Sequence, residues 1–234
     1  MINLVIDFLF EKTPHVSLLK KLFLIIKFYY ISFAVDCAHN NFEMLTMARS
    51  IFKLPSNING DIIEAGSYKG GGTAKLSLIA KIVNRRLIVF DSFYGIPENN
   101  EIHSYGKYKK RSFVFTKGAY KGTLSEVKKN VEKYGAPDVC IYKKGLFEET
   151  MPKFHGKAAF IFLDVDLASS TRTCLKYLYP LLSPNGVLYS HDGHLTLVTH
   201  IFENKTFWKK EVGFLQPKIE GLDKQKLLKI VKVI

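Results

Sequence analysis

The rhythm of hydrophobic and polar positions changes once along the chain. Residues 17–35, "SLLKKLFLIIKFYYISFAV", form a dense apolar run interrupted by Lys20, Lys21 and Lys27. A membrane-spanning helix needs roughly 20 nearly uncharged residues, and no small-residue cleavage site follows as in a secretory signal. The run therefore predicts a helix lying against something rather than through it. Lys20 and Lys27 fall on nearly one helical face, which suits the domain, a partner subunit in a homo-oligomer, or an anionic membrane surface with Phe and Tyr sunk to the acyl boundary.

From Asp61 onward, short apolar runs alternate with longer amphipathic stretches. "DIIEAG" (61–66), "RLIVFDSF" (86–93), "DVCIYKKG" (138–145), "AAFIFLDVD" (158–166) and "VLYSHDG" (187–193) predict strands. Between them "GGTAKLSLIAKIVN" (71–84), "TLSEVKKNVEKYG" (123–135) and "SSTRTCLKYLYPLL" (169–182) predict helices, and "SPNG" (183–186) a turn. The second helix carries its own punctuation: Thr123 as N-cap, Glu126 three residues on as in a capping box, and Gly135 as stop. Continuous β-branched and aromatic runs separated by helices predict parallel strands covered on both faces. The expected fold is a doubly wound, mostly parallel, Rossmann-like α/β sheet over residues 55–234, with residues 1–54 as an N-terminal helical appendage.

Composition changes this picture little, and charge changes it more. An apolar share of 47% and a charged share of 24% over 234 residues are those of a globular chain, which excludes wholesale disorder. The formal charge of +13 points to an anionic partner, or to Lys-rich solvated faces. Much of the excess sits at residues 105–122 and in the tail 218–234. Cys37, Cys140 and Cys174 are odd in number and form no CxxC pair, so the expected setting is a reducing cytoplasm, with the inner face of the membrane as a peripheral station.

Ligands of such sheets bind beyond the carboxyl ends of the strands, where Glu64, Asp91, Gly145, Asp164 and Asp192 are expected. The loop "EAGSYKGGG" (64–72) is glycine-rich and opens a helix, but it lacks the GxGxxG order of a dinucleotide site. Its Glu64 would repel a pyrophosphate and welcome a cationic nucleoside. Asp91 is placed to accept hydrogen bonds from ribose hydroxyls.

Six stretches, "GDIIEAGSYKGG", "LIVFDSFYGIPE", "KGAYKGTLSEVKKNVEKYG", "GLFEETMP", "FLDVDLASST" and "YPLLSPNGVLYSHDG", stand in an order and spacing that resembles the macrocin O-methyltransferase (TylF/MycF-like) family of class I S-adenosylmethionine-dependent methyltransferases. The resemblance covers roughly residues 55–215. It implies that Glu64, Gly66, Ser67, Tyr68 and the Gly70–Gly72 turn with Thr73 cradle the methionine end of S-adenosylmethionine. It further implies that Asp91, Ser92 and Phe93 hold the ribose, that Gly145, Leu146 and Phe147 flank the adenine, and that Asp164 borders the cofactor. The activity implied is metal-assisted methylation of a sugar hydroxyl, with a divalent ion (Mg²⁺ or Mn²⁺) held by Asp164, His191 and Asp192. His191 departs from the family, which carries an acid there; an imidazole shifts preference toward Mn²⁺, Fe²⁺ or Zn²⁺, or else serves directly as the base.

A sugar hydroxyl must be deprotonated or acidified before it attacks a sulfonium methyl. Asp164, His191 and His194 are the catalytic candidates, with His191 and His194 as possible bases; Asp166 is expected to support the helix start at 169–171 or the acceptor. Phe207 and Trp208 could stack on a sugar or belong to the core. Two other classes share the charge pattern. A nucleic-acid methyltransferase is disfavoured because no base-stacking NPPY-like motif follows the fourth strand. A non-catalytic, membrane-associated protein with a degenerate cofactor fold is favoured by His191.

Overall fold

The computed structural model describes residues 2–13, 16–55, 57–105, 112–222 and 224–233. Residues 106–111 of the basic stretch lie outside the described residues. Three helices come first: α1 (Ile2–Phe10), α2 (Leu18–Ala34) and α3 (Asn41–Phe52). The α/β part follows as β1 (Asp61–Ala65), α4 (Gly71–Ile82), β2 (Leu87–Asp91), a small hairpin of β3 (His103–Ser104) and β4 (Ser112–Phe113), α5 (Leu124–Tyr134) and β5 (Cys140–Lys144). Then come α6 (Phe147–Thr150), β6 (Ala158–Leu163), α7 (Ala168–Leu178), β7 (Leu182–Ser190), α8 (Thr196–Glu203), α9 (Lys205–Phe207), β8 (Ile219–Glu220) and β9 (Leu228–Val231).

One sheet runs in the order β5-β2-β1-β6-β7-β9-β8. Its first five strands are parallel, as expected from their uninterrupted apolar runs, whereas β9 and β8 add antiparallel. The chain moves outward from β1 through β2 to β5, then returns to start β6 on the other side of β1. That reversal opens a crevice between β1 and β6.

Side chains alternate across each strand, and here the alternation sorts two cores. Ile62, Phe160, Phe162, Val187 and Tyr189 pack with Leu24, Phe28, Ile31, Met44 and Ile51 of the N-terminal helices. Ile63, Ala65, Ile161, Leu163 and Leu188 pack with Cys174, Leu175, Leu178 and Trp208 on the opposite face. Residues 17–35 thus form the expected helix, but its Lys21 turns inward and donates to the Glu11 carbonyl at 2.5 Å. The Thr123 cap forms as read, with its side chain accepting the Glu126 amide at 3.2 Å, and α5 stops at Gly135.

Three features differ from the sequence reading. "SPNG" is absorbed into β7 as a bulge: β6 advances from Ala158 to Phe160 while β7 runs from Leu182 to Val187, with Asn185 at a φ of 62°. Part of the basic tail joins the sheet, at Ile219–Glu220 and Leu228–Val231, because Leu228 and Ile230 alternate into the core beside exposed or half-buried neighbours. Phe207 and Trp208 do not face a sugar pocket. Trp208 is fully buried, its indole N–H bonded to the Phe202 carbonyl at 2.9 Å and its ring edge-on to Tyr179.

Candidate active site

Alternation fixes where the chemistry lies. Glu64 shares its face with Ile62, Asp164 continues the row of Phe160 and Phe162, and His191 continues that of Val187 and Tyr189. All three therefore lie on the side roofed by α2, α3 and α4. Beyond the strand ends a cavity of about 440 Å³ opens, bounded by Glu64, Asp91, Asp164, Asp166, His191 and Asp192 among others.

At its β1 end, Glu64 accepts a hydrogen bond from Thr73 Oγ1 at 2.6 Å, and burial pushes its pKa up to about 8 against that bond. Gly66 has a φ of +88°, and a Cβ there would fall 1.9 Å from the Asp164 carbonyl oxygen. Only glycine lets β1 and β6 approach so closely at their ends. Asp91 accepts the Ser67 amide at 2.6 Å and hydroxyl at 2.9 Å on Oδ2, and the Phe93 amide at 2.6 Å on Oδ1. Ser67, Tyr68, Ser92, Gly145, Leu146 and Phe147 line the cavity. Gly70, Gly71, Thr73 and Phe93 instead stand behind its wall, where Thr73 and Phe93 orient the two acids.

At the β6–β7 end, His191 is clasped from both sides: Nδ1 lies 3.0 Å from Asp164 Oδ1 and Nε2 3.1 Å from Glu43 Oε2. Burial alone would lower its pKa, but Asp164 and Glu43 raise it to about 10. Burial also opposes charge on Asp164, and the His191 cation overcomes that and holds it low. Asp192 Oδ2 accepts the amides of Val165 and Asp166, both at 3.1 Å, while its buried Oδ1 has no partner among the described residues. Asp166, at a φ of 61°, points no carboxylate bond at another described residue; burial and the charges of Asp192 and Asp164 push it up to about 8. It does not cap α7, for Glu101 takes that place, accepting the Ala168 and Ser169 amides at 2.7 and 2.9 Å. His194 stacks on Tyr105 at 5.5 Å, and burial, with the Lys226 charge, lowers it to about 4.

A family model described as Macrocin-O-methyltransferase (TylF) matches residues 43–218. The chain belongs to the macrocin O-methyltransferase family. A Streptomyces olivaceus relative, 8-demethyl-8-(2,3-dimethoxy-alpha-L-rhamnosyl)-tetracenomycin-C 4'-O-methyltransferase, is 32% identical over 144 residues, 59% of this chain and 55% of its own. Demethyldecarbamoylnovobiocin O-methyltransferase of Streptomyces niveus is 29% identical over 142 residues, 58% of this chain and 54% of its own. The chain thus spans about half the length of these curated relatives. Among solved structures, the O-methyltransferase NovP matches with a TM-score of 0.73 at 18% identity, over 92% of this chain and all of its own. The calicheamicin methyltransferase CalS11 matches with a TM-score of 0.61 at 15% identity, over 98% of this chain and 90% of its own. At such identities the likeness is one of fold.

The macrocin O-methyltransferase family implies S-adenosylmethionine, and the cavity fits it: a glycine cradle at Gly66 and acids facing a cationic ligand. It also implies a divalent ion, and the residues fit one. Donor atoms of Asp164, His191 and Asp192 lie within 4.8 Å of one another. Asp192 Oδ1 is a buried acceptor with no partner among the described residues, and Glu43 holds Nε2 so that Nδ1, once its proton is displaced, can face an ion.

The sequence reading missed Glu43, His39 and Lys226, all of which touch this site. Glu43 had a signal, since "NNFE" spells a capping box that forms in full: Asn40 Oδ1 accepts the Glu43 amide at 2.9 Å, and Glu43 Oε2 accepts the Asn40 amide at 2.8 Å. That signal announces a helix start and nothing of the second bond to His191. His39 and Lys226 carried none.

Proposed function

We propose that this chain is an S-adenosylmethionine-dependent O-methyltransferase acting on a hydroxyl of a sugar, borne by a natural-product glycoside or other glycan, with Mg²⁺ or Mn²⁺ assistance. The observation that carries the reading is the buried Asp164–His191–Asp192 cluster beside a cavity whose other end presents Glu64 and Asp91. Support for the acceptor comes from the relatives, one of which is named for a rhamnosyl tetracenomycin.

When bound, S-adenosylmethionine supplies an electrophilic methyl group on a sulfonium, and a divalent ion acidifies a neighbouring hydroxyl. Asp164, His191 and Asp192 would hold that ion. Glu64 and Asp164 give the cationic end of the cofactor an acidic wall, Asp91 takes the ribose hydroxyls, and Gly145 to Phe147 flank the adenine. His191 is poorly placed as a base, since both ring nitrogens are already engaged. Asp166 takes that part instead: it lines the cavity, and its carboxylate makes no bond to another described residue, leaving it open to accept the acceptor's proton. His194, neutral and stacked on Tyr105, shapes the acceptor end together with Tyr120 and Phe115 of the 94–122 loop.

Calorimetry tests this directly, with S-adenosylmethionine titrated in Mg²⁺, in Mn²⁺ and in chelator. Cofactor binding in all three, plus separate metal binding, is the expected result. No cofactor binding under any of them would leave a basic, non-catalytic binding protein as the better account.

A second reading concerns the partner of α2. Leu19, Ile26 and Phe33 of this helix are 77%, 62% and 91% exposed, and Leu22, Phe23 and Tyr30 flank them. No acid occurs from residue 12 to residue 35, while Lys12, Lys20 and Lys27 keep their charges on the outside. No described helix is long and apolar enough to cross a membrane. An apolar stripe edged by cations suits an anionic bilayer surface, which would station a cytoplasmic enzyme at the inner membrane face. Vesicles containing phosphatidylglycerol should sediment the chain in low salt, and Phe33→Glu with Ile26→Glu should abolish this. If the wild-type chain stays in the supernatant and runs as a dimer that the same substitutions dissociate, the face belongs to a second copy instead.

A further inference from the structure

Among the described residues, Lys226 is the only lysine or arginine that lines the cavity, and it comes from the segment joining β8 to β9. The main chain fixes it there. The Gln225 amide donates to the Gly221 carbonyl at 2.9 Å, and the Lys226 carbonyl accepts the Gly193 amide, also at 2.9 Å. A Cβ on Gly193 would fall 2.6 Å from the Gln225 carbonyl oxygen and 2.7 Å from Leu228 Cδ2, so the glycine directly after Asp192 lets this segment close on the site. Lys226 is thus presented by a braced backbone.

The other lysines of the tail are accounted for. Lys229 reaches Glu220 at 3.2 Å, buried Lys232 donates to the Tyr179 and Pro180 carbonyls at 3.2 and 3.1 Å, and Lys218 and Lys224 are exposed to water. Lys226 is half-buried, and its ammonium has neither a hydrogen bond nor an ion pair with a described residue. A charge partly withdrawn from water in this way calls for a partner. Its field reaches Asp164, Asp166, His191 and His194, but Asp164 and Glu43 already engage His191. The loop 191–195 is held at Gly193 by Lys226 and at Leu195 by a bridge to Tyr105. Tyr105 stacks on His194 at 5.5 Å and on Phe113 at 4.7 Å, and Phe115 and Tyr120 extend the rings along the cavity. Beside the reacting centre stand an aromatic wall for the apolar face of a sugar ring and one ammonium, whose three donors suit carboxylate or phosphate oxygens.

We infer that Lys226 seats an anionic substituent of the acceptor, so that the sugar methylated here carries a carboxylate or a phosphate near the reacting hydroxyl. The inference rests on the methyltransferase reading above and names the class of acceptor within it. The test titrates methyl α-D-glucoside, methyl α-D-glucuronide and α-D-glucose 1-phosphate into the full chain saturated with S-adenosylhomocysteine. Chelator is present, so that no anion binds through a divalent ion. At least one anionic sugar should bind roughly ten- to hundredfold tighter than the neutral glucoside, the range for a hydrogen bond to a charged group. Which one does so identifies carboxylate or phosphate as the source. Lys226→Met should erase the preference and Lys226→Arg should keep most of it, with S-adenosylhomocysteine affinity within about twofold in both, which shows that they are folded. A shift of all three sugars together in Lys226→Met would make the lysine a counter-charge to the neighbouring acids and overturn the seat. No preference in the wild-type chain, or one that survives Lys226→Met, overturns it too, while S-adenosylhomocysteine binding leaves the methyltransferase reading intact. If the wild-type chain does not bind S-adenosylhomocysteine, that reading falls and the seat with it.

Discussion

Replacing Asp164 with alanine is expected to lower kcat/KM for methyl transfer by about a thousandfold, the scale of losing one preorganised electrostatic group in a water-poor site. Asp164 meets every requirement at once. It faces the cofactor cavity, offers an oxygen to the candidate metal cluster, and bonds His191 Nδ1 at 3.0 Å. Its loss removes the chief influence that raises His191 against burial. The ring pKa should therefore fall from about 10, and the imidazole should become neutral at a lower pH, visible in its NMR titration. Metal binding by calorimetry should disappear in parallel. An alanine variant that still turns over a sugar acceptor within tenfold of wild type would remove Asp164 from the chemistry.

Gly66→Ala is the second large effect, and it acts through the backbone. A φ of +88° is unfavourable for alanine, and the new Cβ would meet the Asp164 carbonyl oxygen at 1.9 Å. No flexible side chain can yield there, because the opposing atom is the main chain where β6 ends. The strand ends must separate, breaking the Asp164 amide bond to the Ala65 carbonyl at 2.9 Å. Destabilisation of about 3 kcal/mol or more is expected, with a lower urea midpoint and loss of cofactor binding. Wild-type stability would mean that the two strand ends can part freely.

The central strands were legible because burial on both faces leaves a continuous apolar run, as in "AAFIFL", and the acids at their ends could be placed from the architecture alone. β9 was hidden for the opposite reason. "LKIV" alternates, with Lys229 reaching Glu220 at 3.2 Å on the outer face, so its lysines read as a solvated tail. Glu43 was legible as a cap and illegible as a support, since its bond to His191 spans 148 residues and arises from packing that no local pattern encodes. His39 shows the same limit. A single histidine in a short connector has no period or motif, and its meaning comes from the helix brought against it. The glycines at 70–72 read as a ligand loop; in the structure Gly72 lines the cavity, while Gly71 and Gly72 admit Cys37 and His39 close to α4.

The placement of β9 between β7 and β8 bears on how the chain reaches this state during synthesis. β7 carries Ser190 and leads directly to His191 and Asp192, and its outer side is completed by a strand that is made only after it, at Leu228–Val231. Until then β7 is a bare edge, with its backbone groups open to any other strand. The nascent protein therefore passes through a stage in which β5, β2, β1 and β6 can be assembled while β7 still presents a template for mispairing.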